Sequence, residues 1–383
     1  MLLVLNAGSS SLKFALYALP LATGATRPRP KIEGQIAGIG RQARFTVAGR
    51  ELPARHIDDH DQAIAHLLDW LEREGAEAPI AGAGHRVVHG GGKFSRPIRI
   101  NRLIIDQLEG MSPLAPHHQP HNVAAIRALA ARKPALPQVA CFDTGFHATQ
   151  PDEATRLPLP REFRERGIRR YGFHGLSYES ILAQVPGILG ALPRRLAVAH
   201  LGNGASLCAI LDGRSVATTM GFSTLDGLVM ATRSGGIDPG VLIHLLREGM
   251  SAAELEDLLY NRSGLLGLSG ISADMRALID SSDPQAAMAI DQFCYRVARE
   301  LGSLAAALGG LDALVFTGGI GENAGAIRAS VCRGAAWLGV QLDDAANAKG
   351  GPRLTQSGSA ASAWAIATDE QAVIARHTAS LLD

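Results

Sequence analysis

The first seventeen residues place two apolar runs on either side of a short polar turn. Residues 2–7 and 12–17 are mainly apolar, and a Gly-Ser-Ser-Ser turn at residues 8–11 separates them. This pattern predicts a β-hairpin that starts at the second residue. Gly8 permits a close backbone approach, and the serine hydroxyls together with Lys13 could donate to the oxygens of a polyphosphate. An ordinary surface hairpin has the same pattern, so the turn alone does not decide between the two.

The second half of the chain begins in a similar way. Residues 197–210 are again an apolar run, a Gly-Asn-Gly turn and a second apolar run. Ser11-Leu12 aligns with Ser206-Leu207, a shift of 195 residues. We therefore predict a duplicated α/β fold with a cleft between the halves, a place where nucleotides often bind.

Periodicity and capping residues predict the remaining elements. A strand at residues 138–142 ends in Asp143-Thr144-Gly145, and an acid in that position is common in α/β active sites. Further strands are predicted at 31–37, 43–48 and 312–316, and a loop at 20–30. Helices are predicted at 60–74, 122–133, 238–249 and 283–309. Two more helices are predicted to begin at capping boxes, one formed by Ser251 and Glu254 and the other by Thr368 and Gln371.

Composition narrows the class of protein. The 383 residues are 46% hydrophobic and 19% charged, which is typical of a globular enzyme of two domains. A net charge of +1 without a basic cluster argues against nucleic acid and anionic membranes as partners. Four widely spaced cysteines predict buried thiols in a reducing compartment, and neither a signal peptide nor an apolar run of about 20 residues is recognised. These observations predict a cytoplasmic protein.

Other kinds of site are weakly supported. Gly91-Gly92-Lys93 lacks the earlier glycine of a P-loop, which excludes that chemistry. Gly319-x-Gly321-x-x-Ala324 follows a predicted strand and precedes a helix, so an NAD-dependent enzyme stays open as a remote alternative. Histidines 117, 118 and 121 lack a nearby acid or cysteine that would complete a zinc site.

Two arginines point to anion recognition. Arg86 ends a predicted strand beside a glycine loop, and Arg233 lies in a Thr-Arg-Ser-Gly-Gly turn. Either arginine alone is more often a surface or ion-pair residue. Two of them in glycine-flanked loops together favour the binding of carboxylate or phosphoryl oxygens, which match the guanidinium fork.

Nine motifs in a single order along the chain resemble the acetate kinase family. They are NAGSSSLK at 6–13, GHRVVHGG at 84–91, PLAPHH at 113–118, FDT at 142–144, YGFHG at 171–175, HLGNGAS at 200–206, TRSG at 232–235, FTGGIGEN at 316–323 and TDE at 368–370. The resemblance covers the chain nearly end to end.

The resemblance implies a fold and an activity. Acetate kinases belong to the actin–hexokinase–heat-shock-ATPase superfamily, whose duplicated ribonuclease-H-like domains close on a nucleotide. Residues 1–146, completed by a helix at 369–383, would form the N-terminal acetokinase domain, and 147–368 the C-terminal nucleotide-binding and dimerisation domain. The implied reaction is the reversible, Mg²⁺-dependent transfer of the ATP γ-phosphoryl group to acetate, giving acetyl phosphate and ADP, with Mn²⁺ as a substitute metal. A homodimer is a family expectation.

Residue roles follow from the same resemblance. Arg86 would bind the acetate carboxylate, and Val88 and Phe173 would line the pocket for its methyl group. Arg233 and His174 would stabilise the transition state of phosphoryl transfer, and His118 would line the same region. We interpret Asp143, the family's catalytic acid, as positioning an arginine or the metal rather than taking a proton. Asn6 and Glu370 would orient Mg²⁺. ATP would be held by Lys13, His200, Leu201, Gly202, Asn203, Gly204, Asp274, Met275, Arg276, Gly319, Ile320, Gly321, Glu322 and Asn323.

Some positions depart from the usual family pattern. Leu176 replaces the usual Thr, Tyr178 the usual His, Thr224 the usual Pro and Gly236 the usual Asp. Gln371 follows Glu370 where the family has a second acid. Because a methylene in an apolar pocket discriminates by only about 1–3 kcal/mol, propionate or another short-chain acid stays open as the substrate. A nucleotide switch without small-molecule transfer is a further alternative, which a second arginine on the phosphoryl path disfavours.

Overall fold

A computed structural model describes residues 1–21, 27–75 and 78–382. The predicted loop at 20–30 is described except for residues 22–26, and residue 383 of the predicted last helix also lies outside the described residues. The chain divides into two compact units. The first unit contains residues 1–146, 175–184 and 369–383, and the second contains 147–174 and 185–368. The domain roles given by the resemblance stay a prediction.

The described residues form strands and helices in the following ranges. The strands are β1 (Leu2–Ala7), β2 (Ser11–Tyr17), β3 (Ile32–Ala37), β4 (Arg44–Val47), β5 (Arg50–Leu52), β6 (Gly82–Val87), β7 (Ile98–Arg99), β8 (Gln138–Phe142), β9 (Arg195–Leu201), β10 (Ala205–Leu211), β11 (Arg214–Thr218), β12 (Ala313–Thr317) and β13 (Ser362–Ala365). The helices are α1 (His60–Trp70), α2 (Arg102–Gly110), α3 (Gln119–Arg132), α4 (Asp152–Thr155), α5 (Arg161–Glu165), α6 (Gly175–Leu189), α7 (Pro239–Arg247), α8 (Ala252–Asn261), α9 (Gly264–Ser269), α10 (Met275–Ile279), α11 (Pro284–Leu308), α12 (Gly318–Asn323), α13 (Gly325–Gly334), α14 (Asp344–Ala348) and α15 (Glu370–Leu382).

The first unit is built on an eight-stranded sheet in the order β5-β4-β3-β2-β1-β6-β8-β7. Strands β1 to β3 are antiparallel neighbours, whereas β6 runs parallel to β1 and β8 runs parallel to β6. Apolar side chains cover both faces: α1 and α3 contribute to one core, and α15 contributes Val373, Ile374 and Ala375 to the other. The carboxyl ends of β1, β6 and β8, where Asn6, Arg86 and Asp143 lie, therefore meet at one edge.

The second unit repeats this topology with five strands in the order β11-β10-β9-β12-β13. Strands β9 to β11 are antiparallel, and β12 and β13 continue the sheet in parallel. The predicted α/β class, both hairpins and their repetition are confirmed. The hairpins are not identical, because Ala7 pairs with Leu12 across four turn residues whereas Leu201 pairs with Ala205 across three.

Local signals account for most helix boundaries. The predicted capping box is confirmed, since Ser251 and Glu254 bond each other's backbone at the start of α8. Helix α3 begins at Gln119, three residues earlier than predicted, because Pro120 fits the first helical turn. The predicted cap of the last helix at Thr368 is wrong: the Asp369 carboxylate accepts from the Ala372 N–H, and the helix starts at Glu370.

All four cysteines are free and buried, as predicted. In the described residues, no helix has both the length and the apolar character needed to cross a membrane.

Candidate active site

Arg86 and Asp143 form a tight ion pair at the carboxyl edge of the first sheet. Arg86 Nε donates to both Asp143 oxygens at 3.0 and 3.1 Å, and Nη2 donates to Oδ2 at 2.6 Å. The Asp143 side chain is 1% exposed and that of Arg86 is 22% exposed. A buried carboxylate thus fixes one side of a guanidinium that still reaches solvent. A positioning role for Asp143 stays a prediction.

Two further side-chain oxygens lie close to the same guanidinium, those of Asn6 and Glu370. Arg86 Nη1 donates to Asn6 Oδ1 at 3.4 Å, and Nε lies 3.6 Å from Glu370 Oε2. Burial opposes the charge of Arg86, but the carboxylates of Asp143 and Glu370 outweigh it and raise the pKa of Arg86 above its ordinary value. Arg86 is therefore cationic throughout the physiological range, and the first unit brings together the predicted residues Asn6, Arg86, Asp143 and Glu370.

The serine turn lies at the same end of the first sheet. The Gly8 N–H donates to the Ser11 carbonyl at 2.8 Å, and His60 Nε2 lies 2.8 Å from the Gly8 carbonyl oxygen. Lys13 is exposed and pairs across the hairpin with Asn6. The half-buried His118 immediately precedes α3. The turn leaves Ser9 and Ser10 exposed, so their hydroxyls are accessible to a ligand.

His174 lies in the second unit in a strained backbone conformation. Its φ of 62° and ψ of 22° are left-handed, which non-glycine residues rarely adopt. Its Nδ1 lies 2.8 Å from Ser206 Oγ, and its ring stacks on that of His200 with centroids 4.2 Å apart. The preceding residue, Phe173, is buried, and its carbonyl oxygen lies 2.9 Å from Nε2 of the buried His147. These contacts hold the His174 imidazole in one orientation.

Arg233 stands beside His174 against the turn between β9 and β10. A Cβ added to Gly204 would lie 2.8 Å from Arg233 Nη2 and 3.2 Å from His174 Nε2. Arg233 Nη1 donates to the Thr224 carbonyl at 2.6 Å, and burial lowers the pKa of Arg233 to about 10. Among residues 1–21, 27–75 and 78–382, Arg233 forms no ion pair with an Asp or Glu. A cation without such a partner beside a glycine turn suits an anionic ligand.

A cavity of about 590 Å³ lies in the second unit, within the size range of small-molecule sites. It is lined by Gly202, Asn203, Asp274, Met275, Arg276, Ile279, Gly319, Ile320, Asn323, Ala324, Gly325 and Ala326. Eight of these are residues predicted to hold ATP. The wall formed by Ile279 and 324–326 was not predicted, because its small and apolar side chains have no distinguishing sequence signal.

The other residues predicted to hold ATP lie outside this lining. Leu201 and Gly321 are buried in the unit, and the Glu322 carboxylate accepts from the N–H groups of Gly318 and Thr368. His200 and Gly204 lie near His174, whereas Lys13 belongs to the first unit. Their predicted contacts with ATP stay predictions.

One residue that supports the cavity, Arg328, was not predicted from the sequence. Arg328 is 2% exposed, and its Nη1 donates to the carbonyls of Gly321 and Glu322 at 3.0 and 2.7 Å. Its Nε donates to Asn347 Oδ1 at 2.9 Å. Arg328 thus satisfies carbonyls at the end of α12, next to the cavity wall. A fully buried arginine cannot be distinguished from a surface one by sequence alone.

The repeated sheet and the anion-binding side chains are typical of phosphotransferases with the duplicated actin/hexokinase-like fold. Residues 1–376 match the model of the acetokinase family. An acetate kinase of Rhodopseudomonas palustris is 55% identical over 393 residues, covering 100% of this chain and 98% of the relative. The chain belongs to the acetokinase family.

Solved structures agree with this assignment. The crystal structure of Porphyromonas gingivalis acetate kinase matches with a TM-score of 0.90 at 35% identity, covering 100% of this chain and 99% of that one. A propionate kinase from Francisella tularensis matches with a TM-score of 0.91 at 37% identity, covering 98% of each chain. The predicted family and duplicated fold are confirmed.

Proposed function

We propose that the protein transfers the γ-phosphoryl group of ATP to acetate, reversibly, by direct in-line transfer. The observation that carries this proposal is Arg86, a partly exposed guanidinium held by the buried Asp143 carboxylate. Its remaining N–H groups are suited to a small carboxylate, which accepts two parallel hydrogen bonds.

The chemistry explains the choice of residues. Acetate is already an anion at neutral pH, so the reaction needs no general base to create the nucleophile. The obstacle is the approach of one anion to a polyanion, and positive charge with correct positioning lowers it. Arg86 binds the carboxylate, while Arg233 and His174, both beside Gly204, stabilise the charge of the transferring phosphoryl group.

The nucleotide occupies the cavity of the second unit. Gly202, Asn203 and Gly319 line it on the side of the two glycine-rich turns, and Asp274 and Arg276 also belong to its lining. The carboxylate of Asp274 also caps α10 by accepting from the Arg276 N–H at 2.9 Å, which holds this wall in place. We assign the phosphates, ribose and adenine of ATP to this cavity as a whole.

Asn6 and Glu370 would hold Mg²⁺, and their chemistry fits that ion. Both offer oxygen, the donor that Mg²⁺ prefers, and both lie around the same guanidinium. Throughout the described sequence, no group of three or more His, Cys, Asp or Glu side chains is arranged to hold a metal. A bound ion would therefore keep waters and phosphate oxygens as further ligands, and it would neutralise phosphate charge. Mn²⁺ would substitute.

The test is acyl phosphate formation trapped with hydroxylamine. The wild-type enzyme is expected to give an ATP-, Mg²⁺- and acetate-dependent hydroxamate signal, and Arg86→Ala to lower turnover by orders of magnitude with ADP binding nearly intact. Near-normal turnover in Arg86→Ala would contradict the role of this residue. Oxidation of NADH would favour the dinucleotide alternative, and an ATPase rate indifferent to acetate would favour a nucleotide switch.

Propionate is the second candidate substrate. The propionate kinase neighbour is as similar in structure as the acetate kinase neighbour. Thr224, which replaces the usual proline, is nearly buried and its carbonyl accepts from Arg233. Initial rates over a series of short carboxylic acids would decide the preference. A homodimer and a cytoplasmic location stay predictions.

A further inference from the structure

The ladder between β1 and β6 stops just before two residues of the proposed site, Asn6 and Arg86. These parallel strands pair from Leu2 with Gly82 to Leu5 with His85. The next pair in this register is Asn6 with Arg86, and it is not formed as a ladder pair. Each strand nevertheless stays paired on its other side, β1 with β2 up to Ala7 and β6 with β8 up to Val87. At this end, therefore, β1 and β6 separate from each other while the ladders β1–β2 and β6–β8 continue.

The side-chain amide of Asn122 stands in the gap. Its Nδ2 donates to the Ala7 carbonyl at 2.7 Å, and its Oδ1 accepts from the Val88 N–H at 3.0 Å. In a continued parallel ladder the Val88 N–H would donate directly to the Ala7 carbonyl. The amide is thus inserted into that bond and satisfies both backbone groups. Asn122 is 2% exposed and belongs to the first turn of α3, so it has little freedom to move.

We propose that Asn122 is a positioning residue. Its amide keeps β1 and β6 apart at their carboxyl ends and so determines the position of Arg86, which receives the carboxylate substrate, relative to Asn6. This inference rests on the proposed function, which assigns that carboxylate to Arg86. The Arg86 Nη1 to Asn6 Oδ1 distance of 3.4 Å is the spacing that the inserted amide maintains.

The geometry distinguishes this role from ordinary core packing. An apolar side chain of similar size would fill the same volume but would leave the Ala7 carbonyl and the Val88 N–H without partners. The two strands would then shift to find other partners for these backbone groups. That movement would change the spacing of Asn6 and Arg86, whereas the cavity of the second unit contains neither strand.

The experiment compares two Asn122 variants with a matched control. Asn122→Leu removes both hydrogen bonds, whereas Asn122→Asp keeps the acceptor for the Val88 N–H and places a carboxylate oxygen against the Ala7 carbonyl. We expect the KM for acetate to rise about tenfold, the factor that 1.4 kcal/mol of binding gives. The turnover number should fall and the KM for ATP should stay within about twofold of wild type.

Leu129→Ala is the control, because Leu129 is buried in the same helix seven residues beyond Asn122. It should lower the melting temperature and leave both KM values unchanged. The proposal is overturned if the Asn122 variants lose stability as Leu129→Ala does while their acetate KM stays at the wild-type value. If Asn122→Leu does not fold, the acetate KM of Asn122→Asp provides the test. Arg86→Ala is measured in parallel, and normal acetate kinetics there would overturn the proposed function itself.

Discussion

The pairing of Arg86 with Asp143 leads to a prediction for Asp143→Asn. Asparagine has the shape of aspartate, but it presents an N–H group to a guanidinium that has only N–H groups to offer. At least one of the three short contacts is lost, and the charge that orients Arg86 is removed. We expect Arg86 to lose its fixed orientation, and the acetate KM to rise while turnover falls.

The size of the expected effect of Asp143→Asn follows from the contacts of Arg86. A hydrogen bond to a charged group contributes about 1.5–3 kcal/mol, and breaking a buried pair costs about 3–5 kcal/mol. Because the Arg86 side chain is 22% exposed, water compensates in part, and we take the lower end of that range. We assign this loss to the orientation of Arg86 in the transition state, where about 3 kcal/mol corresponds to roughly two orders of magnitude in kcat/KM for acetate. The hydroxamate assay at varied acetate concentration measures it.

A second arginine–aspartate pair provides the control. Arg195 contacts Asp312 through Nε at 2.9 Å and Nη2 at 2.5 Å, but this pair lies at the opposite end of β9 from the glycine turn. Asp312→Asn should leave acetate kinetics unchanged. Our reasoning would be refuted if Asp143→Asn kept the wild-type acetate KM and lost one limb of the pH–rate profile, since that result would make Asp143 a proton donor or acceptor.

Three further outcomes are expected. Gly204→Ala should lower turnover at least tenfold in the hydroxamate assay, because the new methyl group would lie 2.8 Å from Arg233 Nη2. ADP binding, measured by calorimetry, should be retained. Arg328→Met should raise the KM for ATP about tenfold, since two carbonyls beside the cavity lose their donor. Burial lowers the pKa of His85 and of His147 to about 4. Because the folded protein holds both imidazoles neutral, their contribution to the free energy of unfolding is complete above about pH 6.5 and is lost as the pH falls towards 4. Urea titrations should show a loss of up to about 3 kcal/mol for each histidine.

The sequence predicts best those features that have a local cause. The hairpin at residues 2–17, the capping box at Ser251 and the helix begun by Pro284 depend on residues close in the chain, and all three are present. The start of α3 and the cap of α15 were misplaced by one to three residues, because proline and aspartate competed with other plausible caps nearby.

The residues of the site also differ in whether the sequence could predict their positions. The Arg86 to Asp143 pair could be anticipated, because both residues end neighbouring parallel strands. The positions of Arg328 and Asn122 could not, since their partners lie on backbone groups that only the folded chain brings near. The strained backbone of His174 likewise has no local sequence signal, because a histidine after a glycine and a phenylalanine is compatible with many conformations.

Helix α15 has a consequence for the order in which the protein is assembled during synthesis. It covers β1, β6 and β8, and Gly82 and Gly84 leave room for its Leu382 and Thr378 side chains. The ribosome makes this helix after every other described element, so one face of the first sheet lacks the cover of α15 while the second unit is completed. A nascent chain paused before residue 370 should therefore hold a folded second unit and an unfinished first one, with apolar surface for a chaperone to bind.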